Sequence, residues 1–279
     1  MQAGKGFGGQ EAYQRPPKGF SVSVFRLTAS LVLFALLAVV ANSPIIAQAD
    51  RAITLWLQRA APAADAPAAV LALFGDPEVI IPGLTVAGLV LLILRDTRYG
   101  RALLWLAGGV VGVSVLSVLL QDVIAHPLPP LALTRYIARR GLILGDPKVV
   151  VSGLIVIGLS IIFLQDKFRG HALVWLAAGI VGVSLVGLIP KYTTVHFGQQ
   201  ILRAAGLNPA GIPSAHMMRT TLLAGTMLRR VPALAGAIVV GMMASLVYLG
   251  VHWTSEVLAG FCLGWACVEV ARALWQRLG

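Results

Sequence analysis

Two histidines carry the chemistry this chain could do. His216 lies in NPAGIPSAHMMRTTLLAG and His252 in VYLGVHWTSEVLAG, each at the end of an apolar run. Pro213 and Ser214 read as the start of a helix, with the serine hydroxyl as its cap and the amides of its first turn free. Such a helix end attracts phosphate, which makes Ser214 and the Ala215 amide candidate phosphate ligands. His252 precedes a second helix and Glu256 begins it, so the carboxylate can reach an imidazole nitrogen and fix its tautomer. A neutral, oriented histidine is a competent nucleophile or base. Lys191, in LIPKYTTVHF, ends an earlier apolar run on the same side. Taken singly, a histidine at such a position more often makes a structural hydrogen bond, and Arg219, one turn from His216, has an equal claim to being a snorkelling residue.

The elements that must bring these residues together are membrane helices. The chain is 58% hydrophobic and 12% charged, with a mean hydropathy of +0.85, whereas about a quarter of the residues of soluble domains are charged. A hydrocarbon core of about 30 Å needs roughly 20 apolar residues per helix. Apolar runs at about 20–47, 79–94, 102–120, 149–164, 172–189, 214–228, 231–251 and 257–274 give an all-α, polytopic bundle of about eight spans. The sixth is short and contains Arg219. Residues 1–19 read as a flexible cytoplasmic tail and 20–279 as one membrane domain, with the motifs in 190–275. The first run is too long for a signal-peptide core and lacks a clear cleavage site, so it reads as an anchor that stays.

The net charge of +11 comes from Arg and Lys at the ends of apolar runs, where they set topology rather than bind nucleic acid. Eight spans put the basic groups around Arg26, Arg95 to Arg101, Lys167 and Arg169, Arg229 and Arg230, and Arg272 on one side. That side is expected to be the cytoplasm, with both termini there, and the bilayer a bacterial inner membrane. Arg135, Arg139 and Arg140 fall outside, where an interfacial helix could touch anionic headgroups. Lys191, His216 and His252 then share the outer face.

A repeat organises the middle of the chain. GDPEVIIPGLTVAGLVLLILRDTRYGRALLWLAGGVVGVS aligns without a gap with GDPKVVVSGLIVIGLSIIFLQDKFRGHALVWLAAGIVGVS, pairing Gly75 with Gly145, Trp105 with Trp175 and Ser114 with Ser184. Two helices per copy, at 70–126 and 140–196, make the repeat parallel, which weakens a transporter reading based on inverted repeats. Asp76 and Asp146, each before proline, read as helix caps, and Glu269 with Arg272 as a pair near the cytoplasmic interface. Cys262 and Cys267 share one membrane helix and suggest neither a disulfide nor a metal site.

These residues resemble the type 2 phosphatidic acid phosphatases, membrane enzymes that remove phosphate from lipid phosphates and diphosphates. The family has three motifs: Lys, six residues, Arg-Pro; Pro-Ser-Gly-His; and Ser-Arg, five residues, His, three residues, Asp. Pro213, Ser214, Ala215 and His216 match the second, with alanine for glycine. Ser245, His252 and Glu256 match the third, with Leu246 for arginine and glutamate for aspartate. Lys191 opens the first, but Gly198 and Gln199 stand where the family has Arg-Pro; the first repeat copy, with Gln121 aligned to Lys191, continues into AHPLPP, whose His126 and Pro127 faintly resemble the missing half. The family normally has six spans, so a duplicated pair gives eight.

The resemblance implies that His252 attacks phosphorus to give a phosphohistidine, Glu256 orients it, and His216 protonates the leaving lipid alkoxide and later activates water. Lys191, Ser214 and the helix amides around Ala215 would hold the phosphate, with Arg203, Arg219 or the arginines of RYIARR replacing the two lost ones. No cofactor or metal is implied. The partners are the bilayer and a lipid phosphate, and the oligomeric state is open. The alternative is a non-catalytic lipid-binding, lipid-translocating or assembly protein that kept the fold.

Overall fold

A turn at Ala41–Ser43 ends what the sequence reads as one long first span. The computed structural model describes residues 19–93, 95–127, 129 and 211–278, and among these are eight helices: α1 Gly19–Val40, α2 Pro44–Ala60, α3 Asp65–Leu73, α4 Pro77–Ile93, α5 Thr97–Val123, α6 Ala215–Met227, α7 Pro232–Tyr248 and α8 Thr254–Leu278. The molecule is an all-helical membrane bundle. Six of the expected runs appear as α1 and α4 to α8. The fourth and fifth, with the second repeat copy, Asp146, Trp175, Lys191, Arg203 and the RYIARR arginines, lie outside the described residues.

The first run is corrected: its tail belongs to α2, which leaves α1 at an angle of 99°. Ser43 caps α2, its hydroxyl accepting from the Ile46 amide, and Pro44 takes the first helical position, where a missing N–H costs nothing. This helix is inside out by soluble standards. Its buried residues are Asp50, Thr54 and Gln58, four apart and so on one stripe, while Ile45, Ile53 and Trp56 are exposed. An apolar outer face suits lipid. The polar stripe fastens the ends of two other helices, since Asp50 Oδ1 and Oδ2 accept from the Ser255 N–H and Oγ–H at 3.0 and 2.6 Å, and Gln58 Nε2 donates to the Tyr248 carbonyl at 2.8 Å. Asp50 therefore caps α8 from another helix. Asp50→Ala, which strands the buried Ser255 groups, is expected to cost about 1–3 kcal/mol, read as a lower unfolding midpoint in detergent.

The short helix α6 occupies the centre. Its 13 residues span only about 20 Å, yet Met217, Met218 and Thr221 are fully buried. Protein rather than lipid surrounds it, which is why Arg219, Thr220 and Thr221 are tolerated there. α8 approaches α6 through Gly260 and Gly264, one turn apart. A Cβ on Gly260 would stand 2.5 Å from the Ser214 carbonyl oxygen, and one on Gly264 would stand 2.8 Å from Thr221 Cβ. This is the small-residue spacing that lets membrane helices touch, and it sets the starts of α6 and α8 side by side.

The starts of α4, α6 and α8 and the ends of α1, α5 and α7 thus meet at one end of the bundle. The opposite end carries Arg26, the α4–α5 turn with Arg95, Arg98 and Arg101, the α6–α7 turn with Arg229 and Arg230, and Arg272, paired with Glu269 at 2.9 Å as expected. By length and composition α5 and the Thr254–Leu274 part of α8 can cross a membrane alone, while Ile80–Ile93 and α7 are shorter apolar helices.

Candidate active site

The Pro-Ser-Ala-His segment enters α6 through a buried, fully tied turn. Ser214 Oγ accepts from the Met217 amide at 3.4 Å as the helix cap, and the Ser214 N–H donates to the Glu256 carbonyl at 3.0 Å. Gln121, near the end of α5, donates to the Pro213 carbonyl at 2.7 Å, and Ala125 forms an antiparallel bridge with Gly211. His216 therefore leaves the first turn of α6 from a fixed backbone. Its Nε2 lies 2.8 Å from Asp76 Oδ1. Asp76 stands directly before α4, at a helix start as the sequence suggests, but its carboxylate has this further use. One turn deeper, Arg219 donates from Nε to the Gly75 carbonyl at 2.7 Å and from Nη1 to Ser114 Oγ at 3.2 Å. The arginine thereby holds the backbone that presents Asp76.

On the other side, His252 and Glu256 are one helical turn apart at the start of α8, and His252 Nδ1 lies 2.7 Å from Glu256 Oε2. With the carboxylate ionised, Nδ1 carries the proton and donates it, and Nε2 is left with a lone pair. The Trp253 N–H also donates to Oε2, at 3.3 Å. Glu256 is completely buried, so its charge needs partners on both oxygens. The second oxygen, Oε1, faces His126 Nδ1 at 2.9 Å. Pro127 accepts from Trp253 Nε1 at 2.7 Å, so the chain after α5 is laid directly on the start of α8.

The rings of His216 and His252 are 5.8 Å apart, centre to centre, at an interplanar angle of 61°. Both can touch one phosphoryl-sized group, one as a nucleophile and the other as a proton carrier. Of the residues singled out in sequence, the structure brings together His216, His252, Glu256, Ser214, Ala215 and Arg219. Lys191 and Arg203 lie outside the described residues. Sequence reasoning missed Asp76 and His126 as members of this cluster. The AHPLPP run was the one signal for His126, and the aspartate of the repeated GDP was the signal for Asp76. Among the described residues, no group of three or more His, Cys, Asp or Glu side chains is arranged to hold a metal ion.

With this geometry in view, residues 188–279 match the model of the PAP2 superfamily. That segment carries His216, His252 and Glu256. Its fold is similar to that in the crystal structure of a transmembrane PAP2-type phosphatidylglycerolphosphate phosphatase from Bacillus subtilis, with a TM-score of 0.57 at 16% identity, over 91% of this chain and 98% of that one. No curated protein matches it in sequence. Within the PAP2 pattern, Leu246 stands at an arginine position and is fully buried in a cluster with Met217, Tyr248 and Val257. Its carbonyl accepts from the Val251 and His252 amides at 3.1 and 3.4 Å. A side chain that would bind phosphate in the motif thus packs in the core here, while its backbone sets the turn that carries His252.

Proposed function

We propose that the chain is a membrane lipid phosphate phosphatase working through a phosphohistidine. The observation that carries this reading is His252 held through Nδ1 on a buried carboxylate, leaving Nε2 beside His216. In the first step Nε2 attacks phosphorus, the P–O bond to the lipid breaks, and the lipid oxygen takes a proton from His216. In the second, His216 takes a proton from water as it attacks the phosphohistidine, releasing inorganic phosphate and restoring His252. Glu256 stays ionised throughout and stabilises the positive charge that grows on the ring. Ser214, the Ala215 amide and the dipole of α6 offer donors to phosphate oxygens, with Lys191, Arg203 and Arg219 as the basic groups. Asp76 fixes His216 through Nε2, so Nδ1 exchanges the proton.

The site lies at the end of the bundle away from the basic turns, which supports an extracytoplasmic site, cytoplasmic termini and a bacterial inner membrane. The lipid would arrive sideways from the bilayer with its headgroup at the interface. Phosphatidylglycerol phosphate, the substrate of the Bacillus subtilis protein with the similar fold, is one candidate. Phosphatidic acid, a polyprenyl diphosphate and a lipid A phosphate are the others. One observation favours a second reading, a non-catalytic lipid-binding, lipid-translocating or assembly protein: the buried Leu246 at the arginine position.

Phosphate release by purified protein from these lipids, with EDTA present, separates the two readings. Release that persists in EDTA supports the phosphatase, and its absence from every lipid with folded protein supports the alternative. A variant remote from the chemical atoms adds a graded test. A Cβ on Gly75 would meet His216 Cδ2 at 2.9 Å and its Cα at 3.3 Å. Gly75→Ala is therefore expected to displace His216 and the start of α6, lowering turnover by about 10- to 100-fold together with a lower unfolding midpoint.

A further inference from the structure

We infer that His126 is a third histidine of the site, a positioning residue that anchors the far oxygen of Glu256 and sets how much of that carboxylate's charge His252 receives. This rests on the reading of His252 as nucleophile.

The ring is buried, with its side chain 3% exposed beside a wholly buried carboxylate. Its Nδ1 faces Glu256 Oε1 at 2.9 Å, and the backbone of Ala41 lies close enough to raise its affinity for a proton. Ala41 opens the turn after α1, which is tied to the same loop by Asn42 Nδ2 donating to the Ala125 carbonyl at 3.2 Å. With the carboxylate ionised, Nδ1 of His126 carries a proton and donates it to Oε1. Burial opposes the charge, but the hydrogen bond and charge of Glu256, the Ala41 backbone and the Asp50 carboxylate outweigh it. His126 consequently holds its proton above the ordinary histidine range.

The consequence reaches His252 through one carboxylate. An isolated buried Glu256 would spend its whole charge on His252 and keep that ring protonated and unreactive to higher pH. Shared between two rings, the same charge still fixes the tautomer of His252 and draws less on its proton. Among the described residues, the other ionisable groups facing the trio are Asp50 from α2, His216 from α6, and behind it Asp76 and Arg219. None of them touches Oε1 of Glu256, so the sharing is assigned to His126.

His126→Asn keeps an N–H donor near the Nδ1 position and removes the charge; His126→Ala removes both. In the asparagine variant the acid limb of the kcat profile is expected to move up by about 0.5–1 pH unit, with KM changed by less than about twofold. Independently of activity, ¹⁵N-histidine NMR of the intact protein in detergent should give a resonance pair, lost in His126→Asn, that stays imidazolium to higher pH than an ordinary histidine, and a His252 midpoint higher in that variant than in wild type. A neutral His126 at pH 7, or a His252 midpoint unmoved by His126→Asn, overturns the inference. If the wild type releases no phosphate from any lipid, the phosphatase reading fails, and the NMR midpoints still decide the role of His126.

Discussion

Replacing His252 by alanine is expected to lower phosphate release by 10³-fold or more, to the background of the assay, while the protein stays folded. The expectation of a silent fold follows from the contacts. The His252 side chain is partly exposed and makes its one described polar contact with Glu256, and after its removal Glu256 Oε2 still accepts from the Trp253 amide and Oε1 still faces His126. No buried charge is stranded. The measurement pairs phosphate release with the unfolding midpoint in the same detergent, and with a search for label retained from ³²P-lipid after acid-free quenching. Label on wild type that is absent from His252→Ala identifies the phosphorylated ring. Activity surviving in the alanine variant would remove His252 as nucleophile.

Glu256→Gln is expected to act more broadly. A glutamine side chain offers one oxygen and one NH2, so it cannot accept from His126 and His252 at once. One of the two rings must rotate or change tautomer. If that ring is His252, Nε2 carries the proton and cannot attack, a fault that costs on the order of 10³- to 10⁴-fold in turnover in carboxylate–histidine pairs. If it is His126, a buried ion pair has been broken at a cost of about 3–5 kcal/mol, visible as a lower unfolding midpoint. Turnover and stability measured together assign the fault, and wild-type values of both in Glu256→Gln would remove the carboxylate from the mechanism. Glu256→Asp, which restores the residue of the family motif, should lose far less of either than Glu256→Gln does.

Much of this site was legible in sequence because its strongest pair is local. His252 and Glu256 are four residues apart across the start of one helix, and the Ser214 cap acts within its own first turn; spacing and capping rules reach that far. His216 and His252 at one end of the bundle followed from counting spans. The contacts of His126 with Glu256 and of Asp76 with His216 cross 130 and 140 residues, and no local rule reports which loop lies against which helix start. The second helix was missed for a different reason: the sequence rule looks for an apolar stripe facing inward, and here the buried stripe is Asp50, Thr54 and Gln58. Its start was nevertheless written in Ser43-Pro44, a cap followed by proline.

The inverted polarity of that helix has a practical meaning for anyone who removes the protein from its bilayer. Ile45, Ile53 and Trp56 need a solvent of hydrocarbon to keep α2 lying where it does, and a micelle that covers them poorly gives the helix a reason to lift. With it would go the Asp50 clasp on Ser255 and the Gln58 clasp on Tyr248, the two fastenings on either side of the turn that carries His252. Solubilisation in small, harsh amphiphiles should therefore abolish the phosphate release proposed for it while its helices persist by circular dichroism, and return to lipid should restore that release.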